Sequence, residues 1–419
     1  MDVMLERCCG LDVHKRDVVA CLLMGPTERA PTKEVRRFST VTAGLRELRE
    51  WLVQAGCTHL AMESTGPYWK PVFNLLEDAM TVLLANARHI KNVPGRKTDV
   101  KDCEWIARLL RHGLVRGSFI PPRPIRELRD LTRYRRQLVE EGARERNRIQ
   151  KVLEDANLKM GSVVTDVFGV SGQAILEAIV AGQGTPEQMA QLARGRLRSR
   201  LPELTQALDG LPSLHHRFLL RQMLDHVARV EEQVEELDRR ITEQLAPFHA
   251  DIERLQTIPG IKETGAATLV AELGTNMDQF PTDAHVAAWA GMCPGNNESA
   301  GKTRSTHMRH GNAWLCTALI EAGWAASRTK GTFLKGMYHR IAARRGRKRA
   351  IVAVGHKLLI IAYHVLKQRR PYLELGEHHV DALRHDVTKR HLLRRLQDLG
   401  YTATLEPLDV PAPEPSFAA

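Results

Sequence analysis

Hydrophobic periodicity changes abruptly at Pro121-Pro122-Arg123-Pro124. Before this break, short apolar runs alternate with segments of helical spacing; after it, helical spacing dominates. Cys9 to Met24 reads as two strands joined by a turn at His14-Lys15-Arg16-Asp17, and His59–Met62 and Thr81–Ala85 read as further short strands. Between and after them, helical spacing predicts Thr42–Ala55, a helix opening at Gly66-Pro67 and running to Asp78, and Asp99–His112. This alternation calls for a sheet flanked by helices over residues 1–125, an α/β unit followed by an all-α remainder.

Beyond the break, Leu128–Leu158 and Leu214–Leu245 have the pattern of long helices that could pair like a coiled coil, within the chain or between chains. Residues 159–212 read as short, Gly-punctuated helices. These stretches form a helical region over 126–250. From 251 to 370 a third unit begins with Ile258-Pro259-Gly260-Ile261. That turn fits half of a helix-hairpin-helix or an ordinary packing turn equally well. Trp289–Gly311 reads as a Gly-rich loop, with helices resuming at Asn312–Ala326 and Ala350–Gln368. Residues 371–419 form an extension whose Pro-rich end, from Leu405, has the composition of a disordered tail.

The charge is unevenly spread. The chain carries 61 Lys and Arg against 49 Asp and Glu, a net +12. Arg88–Lys151 holds 18 basic and 8 acidic residues, and Arg328–Arg370 holds 13 basic residues and no acid. Such segments in an otherwise acidic chain suit a polyanion, and phosphate contacts are expected from Arg135, Arg136, Lys302, Arg304, Arg344, Arg345, Arg347 and Arg349. Aromatic residues are only 5%, so base-stacking platforms are not prominent. No secretory leader is expected from the first residues. The most apolar stretch, Ala350–Leu366, contains His356, Lys357 and His364 and reads as too short and polar for a bilayer, which needs about 20 apolar residues. The seven scattered cysteines lack CxxC spacing and suggest reduced thiols in a cytoplasmic protein without structural zinc.

Four acids carry the chemistry. Asp12 interrupts the apolar strand of Gly10-Leu11-Asp12-Val13, and Glu63 stands where a buried strand meets a Gly turn. Asp99 and Asp102 share a face at the start of a helix. Singly, the last two read as helix-start acids; together with the first two, they make a hard-oxygen set suited to Mg²⁺. A pair of such ions could clamp both oxygens of a phosphoryl transfer. Gly295 to Gly301 has five intervening residues where a P-loop has four, so ATP is not expected. Ser299 lies in that loop beside Lys302, Arg304 and Arg309; it reads either as a solvated serine or as a nucleophile toward a phosphodiester.

In order along the chain, these motifs are Gly10-Leu11-Asp12-Val13-His14-Lys15, Met62-Glu63-Ser64-Thr65-Gly66, Lys97-Thr98-Asp99-Val100-Lys101-Asp102, Ile258-Pro259-Gly260-Ile261 and Ala290-Gly291-Met292-Cys293-Pro294 followed by Glu298-Ser299-Ala300-Gly301-Lys302. The chain thereby resembles the DEDD transposases of bacterial insertion sequences, recombinases guided by a bridge RNA. The resemblance implies an N-terminal RuvC-like, RNase H-like domain with a mixed sheet and helices. It implies Mg²⁺ held by Asp12, Glu63, Asp99 and Asp102, and a covalent link between Ser299 and cleaved DNA. It further implies donor and target DNA paired with a noncoding RNA, and a tetramer in which acids and serine can come from different subunits. Two other readings remain: a RuvC-like metal-dependent junction endonuclease that uses water, and a non-enzymatic nucleic-acid scaffold.

Overall fold

The computed structural model describes residues 4–64, 66–85, 90, 102–293, 297–299, 302–305, 308, 311–379 and 385–404; side chains of 297–299, 302–305 and 385–388 are not described. The chain divides into two compact units, Met1–Pro121 and Pro122–Ala419.

The first unit is built on a five-stranded mixed sheet. Its strands are β1 (Arg7–Val13), β2 (Asp17–Met24), β3 (Thr32–Ser39), β4 (His59–Glu63) and β5 (Thr81–Ala85), in the order β3-β2-β1-β4-β5. β1–β2 and β2–β3 are antiparallel, whereas β1–β4 and β4–β5 are parallel. β3 lies outside the elements expected from the pattern. Its sequence, Thr-Lys-Glu-Val-Arg-Arg-Phe-Ser, exposes all but a few side chains, as an edge strand can, and so carries no apolar alternation to read. One sheet face, with Cys9, Leu11, Val18, Ala20, Leu22, Leu60, Met62 and Leu84, packs under α1 (Thr42–Gln54) and α2 (Trp69–Leu76). The other, with Cys8, Cys21, Leu23, Ala61 and Ala85, packs under α3 (Asp102–Arg111). α3 carries Asp102 and Glu104 in its first turn and Arg108 and Arg111 in its last, signs that match the helix dipole. Residues 99–101, the expected start of this helix, lie outside the described residues. Arg111 is 2% exposed, and its guanidinium donates to the carbonyls of Glu6, Gly25 and Pro26, tying the helix end to the β2–β3 turn.

The second unit is helical. α4 runs from Arg123 to Asp155, starting earlier than Leu128 because Pro124 falls in the first turn, where a missing N–H costs nothing. Short helices follow: α5 (Met160–Val163), α6 (Val170–Ala181), α7 (Pro186–Ala190) and α8 (Leu201–Leu208). They close a core with Ile149, Leu153, Leu220 and Val227 of the long helices. α9 (Leu214–Leu245) lies antiparallel to α4 within the same chain. Ion pairs link the start of α4 to the end of α9, Arg135 with Asp238, and the end of α4 to the start of α9, Asp155 with His216, while Glu141–His226 and Arg146–Glu231 join their middles. The pairing left open between chains is thus made inside one.

α10 (His249–Gln256) and α11 (Glu263–Leu273) flank the Pro259-Gly260 turn, followed by α12 (Asp283–Ala290). The segment expected as a loop contains the end of α12 and a short hairpin, β6 (Asn297–Ser299) and β7 (Lys302–Ser305). α13 (Ala313–Ala326), α14 (Phe333–Arg345), α15 (Arg347–Gln368) and α16 (His385–Asp398) complete the unit. α15 spans 22 residues and contains an 18-residue stretch with a mean hydropathy of 1.5. That is long and apolar enough by composition to cross a bilayer, contrary to the reading of Ala350–Leu366. Its apolar side, including Ala350, Val354, Leu358, Leu359 and Ala362, is buried within this unit, as in the core helix of a helical bundle. The tail from 405 lies outside the described residues.

Candidate active site

Strand alternation decides where the acids go. On β1, Cys8, Gly10 and Asp12 share the face covered by α3; on β4, Ala61 and Glu63 share it. Gly10 is level with Ala61 in the parallel pair, so Asp12 and Glu63, each two residues further on, end side by side on neighbouring strands. Asp102 opens α3, whose body lies over the same face. Three of the four expected acids therefore converge at one corner of the sheet. Asp99 lies outside the described residues.

Asp12 registers this convergence electrostatically. Burial pushes its carboxyl above the usual carboxylate range, while His14 pulls it back. The charges of Asp102 and Glu63 push it up again. His14 Nε2 lies 3.2 Å from Asp12 Oδ2, a partner the motif contained but to which sequence reasoning gave no role. Its i,i+2 spacing along an extended segment would have signalled the contact. Among the described residues, no group of three His, Cys, Asp or Glu side chains is gathered closely enough to hold a metal ion. The donor chemistry nevertheless fits a hard divalent cation: all three groups are carboxylates, and their mutual repulsion is what such a cation would relieve.

Ser299 is the last residue of β6 and pairs in register with Lys302 of β7, with a bulge at Asn297/Glu298. The serine therefore stands at the end of its strand, paired with a lysine position. The side chains of Ser299, Lys302 and Arg304 are not described.

The expected phosphate-binding arginines fall into two environments. Arg344, Arg345, Arg347 and Arg349 are all exposed around the Gly346 elbow between α14 and α15, and none forms an ion pair with a described residue. Arg135 and Arg136 are already engaged. Arg135 donates to both oxygens of Asp238, and Arg136 to Glu140 and, at 2.7 Å, to Glu321. Sequence counting could not separate these groups, because Asp238 and Glu321 lie 103 and 185 residues away from the arginines they pair with. All seven cysteines are free thiols, and five of them are buried in the first unit.

Two family profiles match this chain. Residues 9–158 match a profile described as a transposase, of the DEDD type of IS110, and residues 252–339 match the transposase family IS116/IS110/IS902. Similar proteins include the uncharacterized 43.6 kDa protein of insertion element IS110 from Streptomyces coelicolor, 27% identical over 264 residues, 58% of this chain and 64% of that protein. Another is y4pF/y4sB of Sinorhizobium fredii, which bears the name of a transposase and is 27% identical over 215 residues, 48% of this chain and 50% of that protein. The matches thus span between half and two thirds of the length of these relatives.

Proposed function

Because the chain belongs to the IS116/IS110/IS902 family of transposases, we propose that it is a DNA transposase that cleaves and rejoins strands at specific sites through a covalent phosphoserine at Ser299. The observation that carries this reading is the convergence of Asp12, Glu63 and Asp102 at one corner of the sheet, with the electrostatic signature on Asp12. Asp99 would join them. These carboxylates would hold Mg²⁺, in two ions, which when bound supplies Lewis-acid stabilisation of a phosphodiester undergoing displacement.

The chain's own residues do the rest. Asp12, held by His14, and Glu63 stand on adjacent strands and fix one side of the site; Asp102 closes it from the helix. Ser299 Oγ gives up its proton and forms a bond to the scissile phosphorus. The bond from phosphorus to one deoxyribose oxygen breaks, and that oxygen takes up a proton. The phosphodiester is conserved as a phosphoserine ester, so rejoining to a second strand requires no ATP. The exposed arginines of the Gly346 elbow would hold nucleic-acid backbone without reading bases. Sequence would then be read by a noncoding bridge RNA that pairs with donor and target DNA, in a tetrameric complex in which acids and serine can come from different subunits. In this reading the protein acts on DNA in the bacterial cytoplasm.

The test is cleavage of a donor–target substrate with its RNA, with and without Mg²⁺, by wild type, Ser299→Ala and Asp12→Asn. Loss in both variants and without Mg²⁺ is expected. Cleavage surviving in Ser299→Ala would identify a water-using junction endonuclease. Binding and function unaffected in Asp12→Asn would identify a scaffold.

A further inference from the structure

α3 approaches the sheet more closely than side chains of ordinary size allow. The contact is centred on Gly10. A Cβ placed on Gly10 would lie 2.2 Å from the carbonyl oxygen of Cys103 and 2.4 Å from the amide nitrogen of Ala107. Both atoms belong to helix backbone, so no rotamer change relieves the clash. The surroundings repeat the theme. Gly10 is level with Cys21 on β2 and with Ala61 on β4, and the facing residues of α3 include Cys103 and Ala107, all of them buried. The acids lie just beyond this contact: Asp12 two residues past Gly10, Glu63 two residues past Ala61, and Asp102 immediately before Cys103.

We propose that Gly10 is a positioning residue for the carboxylate site: by letting the backbone of α3 rest on β1, it sets the separation of Asp102 from Asp12 and Glu63. A helix lifted by the width of one methyl group would keep the fold but draw Asp102 away from the strand acids. Mg²⁺ demands near-ideal octahedral ligand positions, so such a lift would weaken binding far more than it disturbs the rest of the unit. This inference rests on the metal-binding reading given above and adds the residue that tunes it.

The test uses Mn²⁺ alone as probe, with the free ion followed by electron paramagnetic resonance and thermal unfolding measured in parallel. The comparison is among wild type, Gly10→Ala and a control, Gly44→Ala. Gly44 is buried in α1, and a Cβ there would meet Ser39 Oγ at 2.2 Å and the Ser39 carbonyl oxygen at 2.7 Å, on the sheet face away from α3. Both alanine variants are expected to unfold at lower temperature. Only Gly10→Ala is expected to lose Mn²⁺ affinity, by tenfold or more. Should Gly10→Ala fail to fold, Ala61→Val, which adds bulk to the same buried face one strand away, is expected to weaken Mn²⁺ binding in the same direction. Wild-type affinity in a folded Gly10→Ala or Ala61→Val, or an equal loss in Gly44→Ala, would overturn the positioning role. A wild-type chain that binds no Mn²⁺ would overturn the metal reading itself, and the positioning role with it.

Discussion

Arg133 and Glu272 meet in a two-point ion pair, Nε to Oε1 at 2.7 Å and Nη2 to Oε2 at 2.8 Å, with the Glu272 side chain only 1% exposed. Glu272 also takes Arg129 Nε at 3.2 Å and the Asn312 side-chain amide at 2.6 Å. Asn312 in turn caps α13 through the amide of Leu315. One carboxylate thus joins α4, α11 and the start of α13. Burial pushes the Arg129 guanidinium down, and Glu272 is the main charge holding it up.

Removing that carboxylate leaves the partly buried guanidinium groups of Arg129 and Arg133 without their shared counter-charge. Glu272→Ala is expected to destabilise the helical unit by about 2–3 kcal/mol, less than the full cost of leaving a buried charge unpaired because the two arginines keep some contact with water. Urea unfolding followed by circular dichroism measures this. A loss under about 1 kcal/mol, typical of a surface pair, would contradict the hub role.

Gly260 has φ +88°, and a Cβ there would lie 2.3 Å from the carbonyl oxygen of Ala322. The Pro259-Gly260 turn is therefore pressed against α13 on that side. Gly260→Ala is expected to cost at least about 1–3 kcal/mol from backbone strain alone. An alanine variant that unfolds at the wild-type temperature would show that the turn sits free of α13.

The two arginine groups should respond differently to salt. Each phosphate contact contributes about 0.9 to the slope of log K against log salt on duplex DNA. Neutralising Arg344, Arg345, Arg347 and Arg349 together is expected to flatten the slope markedly. Neutralising Arg135 and Arg136 is expected to change it less, because Asp238, Glu140 and Glu321 already balance their charges. Equal effects would mean that nucleic acid displaces those carboxylates.

Burial pushes the Cys8 thiol up to about 11 and the Cys21 and Cys57 thiols up to about 12. Near pH 8 these groups are expected to resist a thiolate-specific reagent in the folded protein and to react in denaturant. The sign for stability follows from linkage. The unfolded thiols ionise near 9 and the folded ones only above it, so stability is fully present below that value and falls as pH rises toward 11–12. Rapid labelling of all seven thiols in the native protein would contradict the buried assignment.

Much of this was legible beforehand. The sheet strands β1, β2, β4 and β5 announce themselves by apolar runs, and Asp12 and Glu63 by interrupting or ending them. β3 was hidden because an edge strand with Lys33, Glu34, Arg36 and Arg37 has no buried face to pattern. The β6–β7 hairpin was hidden by its polar, Gly-rich sequence. What no local pattern could reveal were the long-range partners. Gly10 lies against Cys103 and Ala107, Glu272 against Arg133, and Arg136 against Glu321, and each depends on which elements the fold stacks together.

The central claim joins the carboxylates to the serine, and a covalent adduct tests it most directly. The measurement is mass spectrometry of the peptide bearing Ser299 after reaction with cleavable DNA, denaturation and nuclease digestion. The account predicts a nucleotide phosphoester on Ser299 in the wild type, and none in Asp12→Asn, Glu63→Gln or Asp102→Asn. Efficiently cut DNA with an unmodified Ser299 peptide would contradict it.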